Sequence, residues 1–353
     1  MKMLNRKTME CKKSRAIFRV DGGAGIGLGH IMRCLNLADG LKEKNIQSIF
    51  ITKDNNSEIE KHIVNYLVEK LPSHIDLKED LELTINLIKK HQPDLVITDS
   101  YEIDEYYLEQ MKKLNGTLIS IDDLSKLHFC SDMVLNQNIG FKDSDYSTEG
   151  YTRLLLGTKY ALLRKEFGEK HCLEKEIKSV AGNILITLGG TDIDNQTVKV
   201  IRAIKTIEDN LIATVIMGPA YQYEEILNNE IKGTDGQFIL RRNPQDIFAL
   251  MMNTDVAISA GGSTCYELAC LGVPNIILIL ADNQKKVANG LANYGTSVNL
   301  GWFEEVTEEQ IKEAVEDLIK NRDWREKMSR KGKELVDGRG VKRVVEEIWS
   351  LLE

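Results

Sequence analysis

Short apolar runs and amphipathic stretches take turns along almost the whole chain, and this alternation narrows the choice of fold more than any other feature. Residues 16–20, 48–52, 94–98 and 117–121 read as strands, with shorter ones at 133–136 and 154–156. After the first strand, Leu35, Leu37, Ala38 and Leu41 recur at helical spacing. Residues 57–68, 80–90 and 104–114 read as further helices. The second half repeats the scheme, with strands at 183–188, 212–217, 237–240, 256–259 and 275–280. Helices at 195–207, 221–229 and 263–271 lie between them, and three amphipathic helices follow near 308–320, 323–336 and 339–352. Apolar strands separated by helices predict parallel sheets covered on both faces, an α/β architecture.

A chain of 353 residues exceeds one ordinary core. Residues 166–181 are polar, charged and strand-free, which makes them the linker candidate. The expected organisation is a Rossmann-like domain at 15–165, that linker, and a second Rossmann-like domain at 182–353. The last helix is expected to pack back on the first domain. Residues 1–14 read as a basic, disordered extension. Two doubly wound halves present their strand C-termini to a shared cleft, where such sheets bind ligands.

Charge and cysteine usage exclude several classes. Lys and Arg number 46 against 54 Asp and Glu, a formal net charge of −8, which argues against a nucleic-acid partner. The longest apolar run, 276–281, is far short of the roughly 20 residues that cross a bilayer. No apolar segment follows the basic start as it would in a signal peptide, so a cytoplasmic protein without a membrane partner is expected. The six cysteines, Cys11, Cys34, Cys130, Cys172, Cys265 and Cys270, form no CxxC pair and lack zinc-site spacing. They read as small core hydrophobes in a reducing compartment. No metal or cofactor is expected, and a monomer is favoured.

Chemistry concentrates in turns that follow strands. In the first, residues 21–33 read DGGAGIGLGHIMR, with five glycines between Gly22 and Gly29. These let the backbone approach a ligand closely. The spacing fits neither G-x-G-x-x-G nor a P-loop. His30 opens the helix there, facing the expected cleft, and imidazole suits general-base work at neutral pH. A turn-capping histidine is the rival reading. Arg33, one turn on, suits a carboxylate or a phosphate, or is a solvated helix residue. Asp21 is a candidate for holding this loop or contacting a sugar.

The second turn is Gly189-Gly190-Thr191-Asp192, whose N–H groups suit a diphosphate. An ordinary turn capped by Asp192 or Asp194 is its alternative. The third is Gly261-Gly262-Ser263-Thr264 with Glu267 one turn inside the helix. Ser263 and Thr264 suit helix capping or phosphate contact, and Glu267 suits a ribose diol or a capping role. Asn283 and Gln284 follow the last strong strand, where amides suit sugar hydroxyls or begin the next helix.

Taken together, these residues resemble the nucleotide-sugar hydrolases of pseudaminic acid biosynthesis. The matching stretches are 19–21 and 26–35 (RVD and IGLGHIMRCL), 119–123 (ISIDD), 156–160 with Leu163 and Arg164, 187–192 (TLGGTD), 258–267, and Asn283-Gln284. They span about residues 15–340. The resemblance implies a GT-B fold like that of the peptidoglycan UDP-GlcNAc transferases, with UDP on the C-terminal domain and catalysis from the N-terminal one. It implies that His30 is catalytic, that Glu267 holds the uridine ribose, that Asn283 contacts substrate, and that no metal takes part. The implied reaction releases UDP from UDP-2,4-diacetamido-2,4,6-trideoxy-β-L-altropyranose, in a pathway that supplies flagellin glycosylation. Two stretches depart from the pattern: Gly22-Gly23-Ala24-Gly25 replaces a more polar loop, and 261–264 is closer to the transferase version. A GT-B glycosyltransferase, a 2-epimerase of UDP-GlcNAc and a non-catalytic nucleotide-sugar binder are the rival expectations.

Overall fold

The computed structural model describes residues 14–22, 28–53, 63–114, 116–192, 194–234 and 236–353. The strands in chain order are β1 (Arg15–Val20), β2 (Gln47–Lys53), β3 (Leu67–Leu71), β4 (Leu95–Asp99), β5 (Thr117–Ile121), β6 (His128–Phe129), β7 (Met133–Asn136), β8 (Ser147–Thr148) and β9 (Arg153–Leu156). The second half adds β10 (Asn183–Thr187), β11 (Ile212–Met217), β12 (Phe238–Arg242), β13 (Val256–Ala260), β14 (Asn275–Ile279) and β15 (Ser297–Trp302).

Seven strands form one parallel sheet in the order β3-β2-β1-β4-β5-β7-β9. Six form the other, β12-β11-β10-β13-β14-β15, also parallel. The short pair β6-β8 stands apart. Both sheets are doubly wound, as the alternation predicts. Their central strands, such as β4 and β13, are buried at every residue, so both faces need apolar side chains.

Chain order reverses between β1 and β4 in the first sheet and between β10 and β13 in the second. Loops leaving neighbouring strands on either side of such a point diverge and open a crevice. The turns carrying His30 and Gly189 leave β1 and β10, so the topology delivers the motif loops to the two crevices. Two faces of apolar packing cover each sheet.

The chain crosses between the lobes twice. It first leaves through the short Lys165–Glu169 helix. It returns through the Gly340–Leu352 helix, whose Val344, Val345 and Ile348 complete the core over β1. That helix sits close to the Gly29–Glu43 helix because position 40 is glycine. A Cβ there would come within 2.5 Å of Val341. The two crossings touch at Gly168 and Gly338, where a Cβ on Gly168 would lie 2.5 Å from the Gly338 carbonyl oxygen. Buried Arg325 secures the rest of the linker by donating to the carbonyls of Ile319, Lys178 and Ser179.

Three sequence expectations change. Residues 67–71 form the edge strand β3 rather than the end of a helix at 57–68, of which 57–62 lie outside the described residues. β15, not expected as a strand, forms the opposite sheet edge. Cys172 is exposed, whereas Cys34, Cys130, Cys265 and Cys270 are buried as expected. Cys11 and residues 1–13 of the proposed extension lie outside the described residues.

Candidate functional site

The two crevices face one cleft of about 480 Å³. Its first-lobe wall includes Leu28, Gly29, His30, Arg33, Tyr101 and Asp123. Its second-lobe wall includes Gly189, Gly190, Thr191, Asp192, Gly262, Ser263, Thr264, Glu267, Asn283 and Gln284. Every candidate residue except Asp21 therefore lines the same space. The facing loops nearly touch, since a Cβ on Gly190 would lie 3.7 Å from the Leu28 side chain. Gly23–Gly27 of the first glycine loop lie outside the described residues.

His30 and Arg33 are three residues apart at the start of the Gly29–Glu43 helix and so share a face. That face meets Asp99, the last residue of β4. His30 Nδ1 lies 2.5 Å from Asp99 Oδ1. An ionised carboxylate only accepts, so Nδ1 carries a proton, and in the neutral imidazole the lone pair is on Nε2. Nε2 makes no hydrogen bond among the described residues, and the imidazole and Tyr101 rings pack at right angles with 4.6 Å between centroids. Arg33 Nη2 also approaches Nδ1, at 3.2 Å, but both atoms bear protons. Asp99 between them takes both.

Arg33 grips Asp99 with two nitrogens, Nε at 2.7 Å and Nη2 at 2.6 Å. Its Nη1 donates to Asp123 Oδ1 at 2.7 Å. Tyr101 donates to Asp123 Oδ2 and accepts from Asn283 Nδ2 of the other lobe. Burial opposes ionisation of Asp99 most strongly. Arg33 and His30 outweigh it and hold that carboxyl well below the usual range. Asp123 is lowered by the same balance of burial against Arg33. Charges this buried persist because each is hydrogen-bonded to an opposite one.

On the second lobe, Gly189 adopts φ +95°, which turns the loop after β10 toward the cleft. Ser263 makes no side-chain cap, so its hydroxyl is not engaged by the Thr264–Cys270 helix. Glu267, with 18% of its side chain exposed, accepts from Arg164 Nη2 at 3.1 Å. Burial lifts its carboxyl above the usual range, with Arg164 acting against that rise.

Several site expectations change. Asp21 is buried off the cleft, where Arg19, the Lys53 backbone N–H and Ser100 consume its carboxylate. It anchors the end of β1. Arg33 lines the cleft with its nitrogens committed to Asp99 and Asp123, the carboxylate pairing that the sequence also offered. Asp192 accepts from the N–H groups of Gln196 and Thr197, the capping alternative. Gln284 Oε1 accepts from Gly261 N and Leu280 N, bracing the glycine turn and leaving only its amide nitrogen for a ligand. Sequence alone assigns no role to Asp99, Tyr101, Asp123 or Arg164. An acid ending an apolar strand beside the reversal point was the available signal for Asp99.

Among the described residues, no group of His, Cys, Asp and Glu has the arrangement of a metal site. No described helix is long and apolar enough to cross a membrane.

Residues 183–344 match the glycosyltransferase family 28 C-terminal domain. The Bacillus subtilis spore coat polysaccharide biosynthesis protein SpsG is 28% identical over 343 residues, covering 94% of this chain and 97% of that protein. A Campylobacter jejuni protein named UDP-2,4-diacetamido-2,4,6-trideoxy-beta-L-altropyranose hydrolase is 30% identical over 292 residues, covering 80% of this chain and 98% of that protein. The crystal structure of MurG from Acinetobacter baumannii superposes with a TM-score of 0.69 at 16% identity, covering 96% of this chain and 99% of that one, and so shares the fold. The chain belongs to the family of the Campylobacter hydrolase, a GT-B-fold group related to glycosyltransferase family 28.

Proposed function

We propose that the protein hydrolyses a UDP-sugar at its anomeric carbon, with UDP-2,4-diacetamido-2,4,6-trideoxy-β-L-altropyranose as the substrate. The observation that carries this reading is the imidazole of His30, oriented by Asp99, with its other ring nitrogen unpartnered among the described residues, in a cleft whose far wall is built from glycine turns. A cleft of this size suits a small-molecule ligand. UDP lies on the second lobe with Glu267 at the ribose. The N–H groups of Gly189–Thr191 and Gly262–Thr264 face the diphosphate, and Asn283 faces the sugar.

His30 Nε2 removes a proton from water. The water oxygen forms a bond to the anomeric carbon as the bond from that carbon to the phosphate oxygen breaks. UDP departs on the opposite face with the bonding electron pair. Asp99 stabilises the imidazolium until its proton passes to solvent. The N–H groups of the glycine turns stabilise the charge growing on the diphosphate.

The match to the family 28 transferase domain supports a second reading, transfer to an acceptor other than water. Incubation with the UDP-sugar and no acceptor separates the two. Continuous release of UDP and free sugar, followed by NMR, is expected; UDP release only on adding an acceptor sinks the hydrolase reading. In the same assay His30→Ala should lose about 10²–10⁴-fold in turnover with UDP affinity retained.

A further inference from the structure

Tyr266 has no part in the scheme above, yet it stands where the two lobes meet. It precedes Glu267 on the Thr264–Cys270 helix and is fully buried. Its hydroxyl reaches across to the first lobe, 3.1 Å from Asn138 Oδ1 and 3.2 Å from the backbone nitrogen of Ile139. The other end of the Asn138 amide donates to Asp123 Oδ1 at 2.7 Å. Carboxylate oxygens only accept, so Nδ2 must face Asp123 and Oδ1 must face Tyr266. The tyrosine therefore donates to Asn138 and accepts from Ile139, with no choice of direction.

The bonds continue without a break. Arg33 grips the same Asp123 oxygen, Arg33 holds Asp99, and Asp99 holds His30 Nδ1. One buried relay thus runs from the helix that carries Glu267 to the imidazole on the opposite lobe. The loop around it is seated firmly on the second lobe. A Cβ on Gly290 would come within 2.5 Å of Ile139, and the Lys286 ammonium lies 3.9 Å from the Phe141 ring centroid.

We propose that Tyr266 and Asn138 are positioning residues for the hydrolysis, fixing the register of the two lobes at the carboxylates that orient His30. The inference rests on the reading of His30 as base and of the Thr264–Cys270 helix as part of the nucleotide site. The nucleotide on one lobe places the anomeric carbon, and His30 on the other places the water. Their separation is set by the joint between lobes, and a misplacement of about 1 Å costs on the order of 10²-fold in rate. Removing the hydroxyl leaves the Asn138 carbonyl and the Ile139 N–H unsatisfied. The Asn138 loop is then no longer pinned to the second lobe, and a shift of that loop lengthens the bond from its amide to Asp123.

Tyr266→Phe is the test, with kcat and KM measured on the UDP-sugar and the UDP dissociation constant measured by calorimetry. The expected result is a kcat loss of about 10–100-fold, with KM and UDP affinity little changed, because nucleotide contacts stay within the second lobe. Combined with Asp123→Asn, the loss should be much smaller than the product of the two single effects, since both break one relay. If Tyr266→Phe does not fold, Asn138→Ser interrupts the same relay while keeping the tyrosine packed, and carries the same expectation. Wild-type kcat in the folded variant, a parallel loss of UDP affinity, or independent multiplication of the two effects overturns the proposal. Full turnover by His30→Ala would instead remove the reading beneath it.

Discussion

The site turns on one constraint at the scale of single residues: Asp99 decides which nitrogen of His30 holds the proton. Asparagine at 99 would keep the shape, but its amide can donate as well as accept, so the useful tautomer would no longer be enforced. Asp99→Asn should therefore lower kcat by about 10²–10⁴-fold with UDP affinity intact, as read by steady-state kinetics and calorimetry; an undiminished kcat would detach the carboxylate from the reaction. Glu267→Ala belongs to the other lobe and should behave oppositely. Hydrogen bonds to a charged acceptor contribute about 1.5–3 kcal/mol, so UDP should bind roughly 10–100-fold more weakly. Unchanged binding would end the ribose assignment. The sequence displayed His30 and Glu267 because each sits beside glycines at a strand exit. It hid Asp99 and Asp123, which lie 66 and 90 positions from Arg33 and meet it only once the sheet has formed.

Among secondary-structure elements, legibility followed burial. Central strands such as Leu95–Asp99 and Val256–Ala260 are covered on both faces and read plainly as apolar runs. In the two large sheets, the strands not legible in the sequence, Leu67–Leu71 and Ser297–Trp302, are sheet edges with mostly half-exposed residues. Glu69 and Lys70 in the first interrupt the apolar signal. Helix contacts offer a sharper test of the architecture. Gly40→Ala would improve intrinsic helix propensity, but its methyl would collide with Val341. The expected net effect is a destabilisation of about 1–2 kcal/mol, relieved when Val341→Ala is added. Thermal melts of the single and double variants check it, and a stabilised single variant would refute the close contact.

For the molecule as a whole, the buried carboxylates set the response to acid. Asp99 and Asp123 are held below the usual carboxylate range, so the unfolded chain binds more protons than the folded one as pH falls. Their stabilisation is complete above about pH 5 and is lost as acidity passes from the unfolded value near 4 down through the folded values. Glu267 and Asp192 are raised, mainly by burial, and so act with the opposite sign. The melting temperature should fall between about pH 5 and pH 3, and Asp123→Asn, less stable at neutrality, should fall less. Parallel curves for the two proteins would contradict this. The doubly wound plan was readable from alternation alone, and so was the meeting of glycine turns across a cleft. The joint between lobes was not, because Tyr266 and Asn138 look like ordinary interior residues until the lobes are set together.

The double crossing at Gly168 and Gly338 means that the first lobe is not a contiguous piece of sequence. Severing the chain in the linker would strip Val344, Val345 and Ile348 from the first lobe and leave a greasy scar over its central strand. Anyone wishing to isolate that lobe must graft the Gly340–Leu352 segment back onto it, much as a lid is returned to its own jar.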